Sequence, residues 1–338
     1  MKLSVVCPIY NEKRYIEDCI HSIVEQDFPH SDMEVLFVDG MSDDGTREVV
    51  SNYTKKYPFI KLLDNPQRIV PYAMNRGIME AKGEFIVRLD AHAEYPKNYF
   101  SKLISAMQQL DGAENVGGVC LTLPCNSTVR AQAIAAVLSS PFGMGNSYFR
   151  IGCNEVKSVD TVPFGCFRKE LFEKIGFYDT ELIRNQDDEL NGRIVKNGGK
   201  IYLLPELEIR YFARDKVTKV WRMFYQYGLY KPLVNKKLGA PATLRQFFPL
   251  LFVIGLIVGG ALSLSVPYIV YPYFAVLLLY FAIAEALAVR EAKKSSCYAL
   301  LFWMPIVFVT VHVAYGWGYL VGLMKIILKR PFNVESNR

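Results

Sequence analysis

Paired cysteines, phosphate-loop glycines and, beyond about residue 245, charged side chains are what this chain of 338 residues has little of. Its seven cysteines are scattered and lack CxxC spacing, which argues against a disulfide framework and fits a reducing compartment. No GxGxxG follows the first apolar run and no Gly-Lys-Ser/Thr occurs, so dinucleotide-binding and P-loop readings are weak. Lys2 runs directly into an apolar stretch at 3–8, leaving no separate h-region for a cleavable signal. The formal charge of +6 suits an anionic membrane surface or a phosphorylated ligand, but it is too small and too spread out to argue for nucleic acid. Neither a nucleic-acid-binding module nor an internal repeat is legible.

The residues that are present divide the chain. Three apolar runs, 247–266, 268–289 and 298–324, approach or exceed the ~20 residues needed to cross a bilayer. The expected organisation is therefore a head at 1–231, a basic juxtamembrane linker at 232–246 and a membrane region at 247–328. Lysines and arginines flank the first two runs on one side only, so these read as a hairpin with a cytoplasmic head at the inner membrane. The third run is interrupted by His312 to Gly318 and followed by Lys325, Lys329 and Arg330, which suggests a re-entrant or interfacial element instead of a simple crossing.

Within the head, apolar runs at 3–8, 34–39, 60–63 and 85–90 alternate with helix-like stretches at 14–26, 46–56 and 71–81. This spacing predicts an α/β fold with a mostly parallel sheet flanked by helices, binding ligands beyond the carboxyl ends of its strands. Asp90-Ala-His92 ends the fourth run. Alternation along a strand puts Asp90 and His92 on one side, where both can reach one cation.

Five segments together resemble family 2 glycosyltransferases of the GT-A fold: Val6-Cys-Pro-Ile-Tyr-Asn-Glu12, Val38-Asp-Gly-Met-Ser-Asp-Asp-Gly-Thr46, Ala73-Met-Asn-Arg-Gly77 with Ala81-Lys-Gly83, Asp90-Ala-His92, and Gln186-Asp-Asp-Glu-Leu190. With the apolar tail, the chain is most similar to the exopolysaccharide branch that includes succinoglycan glucosyltransferases. The resemblance implies that Pro8, Tyr10 and Glu12 shape a nucleotide pocket and that Asp39 accepts hydrogen bonds from the base. Arg68 is a candidate phosphate contact or a surface arginine. Asp90 and His92 would hold a divalent cation, manganese or magnesium, with the imidazole pointing toward manganese.

Asp187 is the expected general base, with Asp188 as its alternative; Glu189 reads as a helix-start acid, and Asp44 as a helix cap. Gly165 and Arg168 resemble an acceptor-side loop. Arg214, Arg222 and Gln226 loosely resemble a segment that holds diphosphate and acceptor, although its Gln-x-x-Arg-Trp motif is absent. Trp221 and Tyr225, with Lys219, Arg222 and Lys231, also read as an amphipathic helix on the membrane surface. The implied activity is inverting transfer from a UDP-sugar, UDP-glucose being the first candidate, to a polyprenyl-diphosphate-linked saccharide. A polyprenyl-phosphate glycosyltransferase and a non-catalytic nucleotide-binding membrane scaffold are the alternatives.

Overall fold

The computed structural model describes residues 1–241 and 243–332; Ala242, in the expected linker, lies outside the described residues. Along the head run β1 (Leu3–Ile9), α1 (Ile16–Val24), β2 (Met33–Asp39), α2 (Thr46–Lys56), β3 (Ile60–Asp64), α3 (Val70–Glu80), β4 (Phe85–Arg88), β5 (Ala93–Glu94), α4 (Tyr99–Gln109) and β6 (Ala113–Pro124). Next come α5 (Val129–Leu138), α6 (Pro141–Met144), α7 (Tyr148–Ile151), β7 (Lys157–Ser158), β8 (Cys166–Arg168), α8 (Lys169–Ile175), α9 (Gln186–Lys196), β9 (Lys200–Ala213) and α10 (Val217–Leu238). The strands form one sheet in the order β3-β2-β1-β4-β8-β6-β9-β5, with β7 on β9. Strands β1 to β4 pair in parallel, whereas β8 is antiparallel to both of its neighbours, β4 and β6. The sheet is therefore parallel in its first half and mixed in its second.

Sequence dictates the first half strongly. Every residue of β1 and β2 is buried, as expected of parallel strands covered on both faces, and α1 buries Ile16, Cys19, Ile20 and Ile23 at helical spacing. Strands β1, β2 and β4 end at the same edge, which brings residues 10–12, 39–46 and 90–92 together. The long pair β6 and β9 carries the second half and is parallel.

After α10 come α11 (Phe247–Ile254) and α12 (Gly260–Ser265), joined through a π turn at Gly255–Gly259, then α13 (Val270–Ser295) and α14 (Leu300–Ile327). Three helical stretches, Leu244–Ser265, Pro267–Ser295 and Leu300–Ile327, are long and apolar enough to cross a membrane. They are not equivalent. In the most apolar stretch of α14, 44% of residues are buried, against 11% in each of the other two.

Residues 312–318 do not interrupt α14, which is one continuous helix lying along the head. Near its start, Leu300 and Met304 pack with α5, and Arg130 stands over the Trp303 ring. Near its end, Val321 packs with Leu182 and Leu229, and just beyond it the Phe332 carbonyl accepts from Tyr230 Oη at 2.5 Å. Both ends of the helix therefore meet the head. Glycine makes this closeness possible: a Cβ at Gly318 would stand 2.1 Å from the Tyr225 carbonyl oxygen, and one at Gly228 2.0 Å from that of Tyr315.

Helix α10 thus lies between head and α14, and the expected boundary at residue 231 falls inside it. Tyr225 packs against α14, and Lys231 is buried; Lys219, Trp221 and Arg222 keep the exposure of a membrane-surface helix.

Candidate active site

The loops after β1 and β2 are zipped together by their own polar groups. Ser42 Oγ accepts from Asn11 N at 2.8 Å, Asp43 Oδ1 from Asn11 Nδ2 at 3.0 Å, and Thr46 Oγ1 from Glu12 N at 2.9 Å. Asp44 accepts from Thr46 N and Lys13 N, both at 3.0 Å. Burial would raise the Asp44 carboxyl, but these bonds hold it below the usual aspartate range.

Asp39 is fully buried at the same edge. Its Oδ1 accepts from Ser42 Oγ at 2.5 Å, and its Oδ2 from Ser42 N at 3.0 Å and Arg47 at 2.6 Å. Both oxygens already serve the loop. Pro8 is buried in β1, and the exposed Arg68, at φ +62°, stands over the Tyr10 ring.

A cleft of about 1210 Å³ opens beyond these strand ends. It is lined at the ends of β1 and β4 by Tyr10, Glu12, Asp90 and His92, and on the other side by Asp187, Asp188, Arg214 and Arg222. Single small-ligand pockets typically occupy ~300–1,000 Å³, so the cleft has room for more than one substrate.

Arg88 joins its two sides. Arg88 is the last residue of β4 and Asp90 lies just past the strand end, with 3.4 Å between Arg88 and Asp90 Oδ1, and the same guanidinium pairs with Asp187 Oδ1. Burial is the largest influence and opposes its charge, but the Asp90 carboxylate together with Tyr178 and Tyr95 holds Arg88 above the usual arginine value. Asp187 remains about a third exposed through its side chain, with Oδ2 outside this pair. Asp188 is instead tied to α10 by Lys231 at 2.7 Å.

Helix α9 is held in register from three directions. Asn115 Nδ2 donates to Asn191 Oδ1 at 2.8 Å, and Asn191 Nδ2 donates to Thr161 at 2.7 Å, a buried polar chain under the helix. Arg184 Nε donates to Gln226 Oε1 at 2.9 Å, and Asn185 Nδ2 to the Tyr227 carbonyl at 2.8 Å. Glu189 pairs with Arg193 at 2.7 Å, in keeping with a structural role.

Gln226 therefore stands behind the cleft, holding Arg184, which lines it. Gly165 is packed so closely on Asn115 that a Cβ would lie 1.9 Å from its Oδ1, while its carbonyl accepts from Arg88 N at 3.0 Å. Arg168 lies across from Phe85, at the opposite end of β4 from Asp90, and donates to the Met107 carbonyl at 2.9 Å. It stands outside the cleft. Arg88, Arg150 and Lys231 are lining residues to which sequence reasoning assigned no site role. The alternation that singled out Asp90 and His92 extends back to Arg88; the other two carried no local signal.

His92 Nδ1 lies 3.6 Å from Glu12 Oε1, and its ring packs on Tyr211. With Asp90 these side chains offer oxygen and nitrogen donors. Among the described residues, however, no group of three His, Cys, Asp or Glu side chains is arranged to hold a metal by itself. Such a set fits a cation that arrives on a nucleotide, with diphosphate oxygens completing its shell.

Comparison with known proteins agrees with this geometry. Over 96% of its length the chain is 28% identical to the dolichyl N-acetyl-alpha-D-glucosaminyl phosphate 3-beta-D-2,3-diacetamido-2,3-dideoxy-beta-D-glucuronosyltransferase of Methanococcus voltae, covering 97% of that protein. It is 31% identical to succinoglycan biosynthesis protein ExoA of Rhizobium meliloti over 73% of this chain and 74% of that one. Among solved structures, the mannosyltransferase of Pyrobaculum calidifontis in complex with GDP-Man and Mn2+ shares the fold with a TM-score of 0.58 at 20% identity, covering 94% of this chain and 87% of that one. The fold is GT-A, as the sequence resemblance implied. The sequence model described as "Glycosyl transferase family 2" matches residues 4–176, just over half of the chain, and this protein, a glycosyltransferase, belongs to that family.

Proposed function

We propose that the enzyme transfers a sugar, with inversion, from a UDP-sugar to a polyprenyl-diphosphate-linked saccharide at the inner face of a cell membrane. The observation that supports this reading best is the single cleft lined by Asp90 and His92, by Asp187 and Asp188, and by residues of the apolar helices. The relatives named above include one whose name specifies a dolichyl-phosphate-linked sugar, consistent with a lipid-borne acceptor. The exposed apolar side chains of α11 to α13 make this hairpin the membrane anchor, with the basic residues at its ends on the side of the head.

In this reading, Asp187 takes the acceptor hydroxyl proton on Oδ2 while Arg88 fixes Oδ1. The freed oxygen forms its bond to the anomeric carbon as the bond from that carbon to the diphosphate oxygen breaks, so UDP leaves and the configuration inverts. Tyr10 and Glu12 bind the nucleotide, and Arg88 keeps base and donor elements in one geometry. Asp90 and His92 would hold a divalent cation, manganese or magnesium, which when bound stabilises charge on the leaving diphosphate. Asp188, neutralised by Lys231, orients α9.

The test is transfer from a panel of UDP- and GDP-sugars, UDP-glucose first, into the lipid extract of membranes holding wild type or Asp187→Asn. The variant should lose about 10²- to 10⁴-fold in rate with UDP affinity intact. Full turnover in the variant would remove Asp187 from the role, and transfer from GDP-sugars alone would overturn the donor assignment.

A further inference from the structure

The far end of the cleft is built differently from the rest. Phe142 of α6, Phe252 of α11, Tyr280 of α13 and His312 of α14 meet there, with Phe252 stacked on Tyr280 at 4.7 Å between ring centroids and Phe142 at 5.3 Å from both Tyr280 and His312. His312 Nε2 lies 2.9 Å from the Phe142 carbonyl, which can only accept, so Nε2 carries the proton. Nδ1 then accepts from Tyr280 Oη at 2.8 Å. Both imidazole nitrogens and the phenol are thereby engaged within the wall, which offers an entering ligand ring faces and hydrocarbon.

The same cleft is lined by cations without an acidic partner. Three basic residues of the cleft are paired: Arg88 with Asp187, Lys231 with Asp188, and Arg245 with Asp160 at 2.5 Å. Among the described residues, Arg150, Arg214 and Arg222 line the same cleft and form no ion pair with a carboxylate. Arg214 Nε is buried without a hydrogen-bond partner. Arg150 stands 5.1 Å over the Tyr211 ring, whose other neighbour is His92. Arg150 therefore adjoins the candidate donor site. Guanidinium groups of this kind match phosphate oxygens in geometry and charge.

We propose that this half of the cleft is the lipid subsite of the acceptor, with Arg150, Arg214 and Arg222 gripping its phosphate groups and the isoprenoid chain leaving along Phe252, Tyr280 and Phe142 into the membrane beside the hairpin. This rests on the reading of a lipid-linked acceptor and adds which residues bind the lipid. Charge complementarity selects the phosphate end, and continuity of the aromatic wall with the exposed apolar helices selects the chain.

The test uses the full chain in detergent micelles with UDP at saturation, so that the donor's diphosphate position is filled. Farnesyl diphosphate, inorganic diphosphate and farnesol are titrated separately. Farnesyl diphosphate should bind at least about tenfold tighter than either fragment, since both halves of the subsite contribute. Arg214→Gln should weaken farnesyl diphosphate and inorganic diphosphate but not farnesol. Phe252→Ala should weaken farnesyl diphosphate and farnesol but not inorganic diphosphate. Unchanged UDP affinity certifies folding in each variant, and Phe252→Leu supplies a milder change if alanine does not fold. Farnesyl diphosphate binding that is no tighter than inorganic diphosphate, survives both variants, or is displaced equally well by phosphatidylglycerol would overturn the proposal. Farnesyl diphosphate binding without transfer from any UDP-sugar would instead sink the donor reading and leave the subsite standing.

Discussion

The two sides of this cleft, proposed to take donor and acceptor, are held together by different means. On the donor side, Asn11, Ser42, Asp43, Asp44 and Thr46 bond to one another across two adjacent parallel strands, all within the first 46 residues. On the acceptor side, the ties are Arg88 to Asp187, Lys231 to Asp188, Arg245 to Asp160 and His312 to Phe142, each joining elements distant in sequence. The first set of ties needs only β1, β2 and the loops after them, whereas the second depends on where α10 and α14 dock, so it is the half that distant packing defects should damage selectively.

The largest expected break of that symmetry comes from Gly318→Leu. Its Cβ meets the Tyr225 carbonyl, so α14 must move away from α10, at about 1–3 kcal/mol for overpacking. Lipid-directed transfer should fall at least about tenfold and the melting temperature should drop, while UDP affinity measured by calorimetry stays within about twofold. An equal loss of UDP binding would show that the two halves are not separable.

A smaller effect sharpens the assignment of the two aspartates. Lys231→Met leaves Asp188 without its partner, and because that carboxylate is about a third exposed the cost should be about 1–2 kcal/mol, below that of a fully buried broken pair. Adding Asp188→Leu should restore most of this stability in thermal melts. If the double variant also keeps sugar transfer, Asp188 is structural; if it is inactive while Asp187→Asn still turns over, the base is Asp188.

The smallest effect belongs to the donor side and depends on pH. Asp44 is held below the usual range despite burial, by hydrogen bonds from Thr46 and Lys13, and Glu34 is held down likewise by Lys61, Lys82 and Ser4. A carboxyl depressed in the fold stabilises fully above its unfolded value, about pH 4, and this contribution disappears as pH falls through the folded value. Melting temperature should therefore fall more steeply below about pH 4 in wild type than in Asp44→Asn. Parallel curves would remove Asp44 as a contributor.

How far the sequence could be read follows the same division. Strand and helix alternation up to residue 90 was legible because parallel strands buried on both faces must be apolar throughout and must end together. Asp44 stands just before the N-cap Gly45 and accepts from Thr46 N at the start of α2, a contact between chain neighbours, whereas its bond from Lys13 N comes from a distant loop. Arg168 was assigned to an acceptor loop, yet β8 runs antiparallel to β4 and carries it to the opposite end of the sheet from Asp90. Strand direction at that point is a tertiary choice. Lys231 looked like a surface lysine on an amphipathic helix, and only the docking of α10 between the head and α14 turns it inward to Asp188.

By itself, then, the sequence determined the family, the parallel half of the sheet with Tyr10, Glu12, Asp90 and His92 at its edge, and three apolar stretches of membrane-crossing length. Tertiary structure alone decided that Arg88 bridges Asp90 and Asp187, that α14 lies along the head with both ends against it, and that one cleft runs from the strand ends to the aromatic wall. The physical reason is range. Periodicity and capping act over a few residues, whereas ion pairing and close helix packing depend on where the folded backbone brings partners that the chain itself keeps far apart.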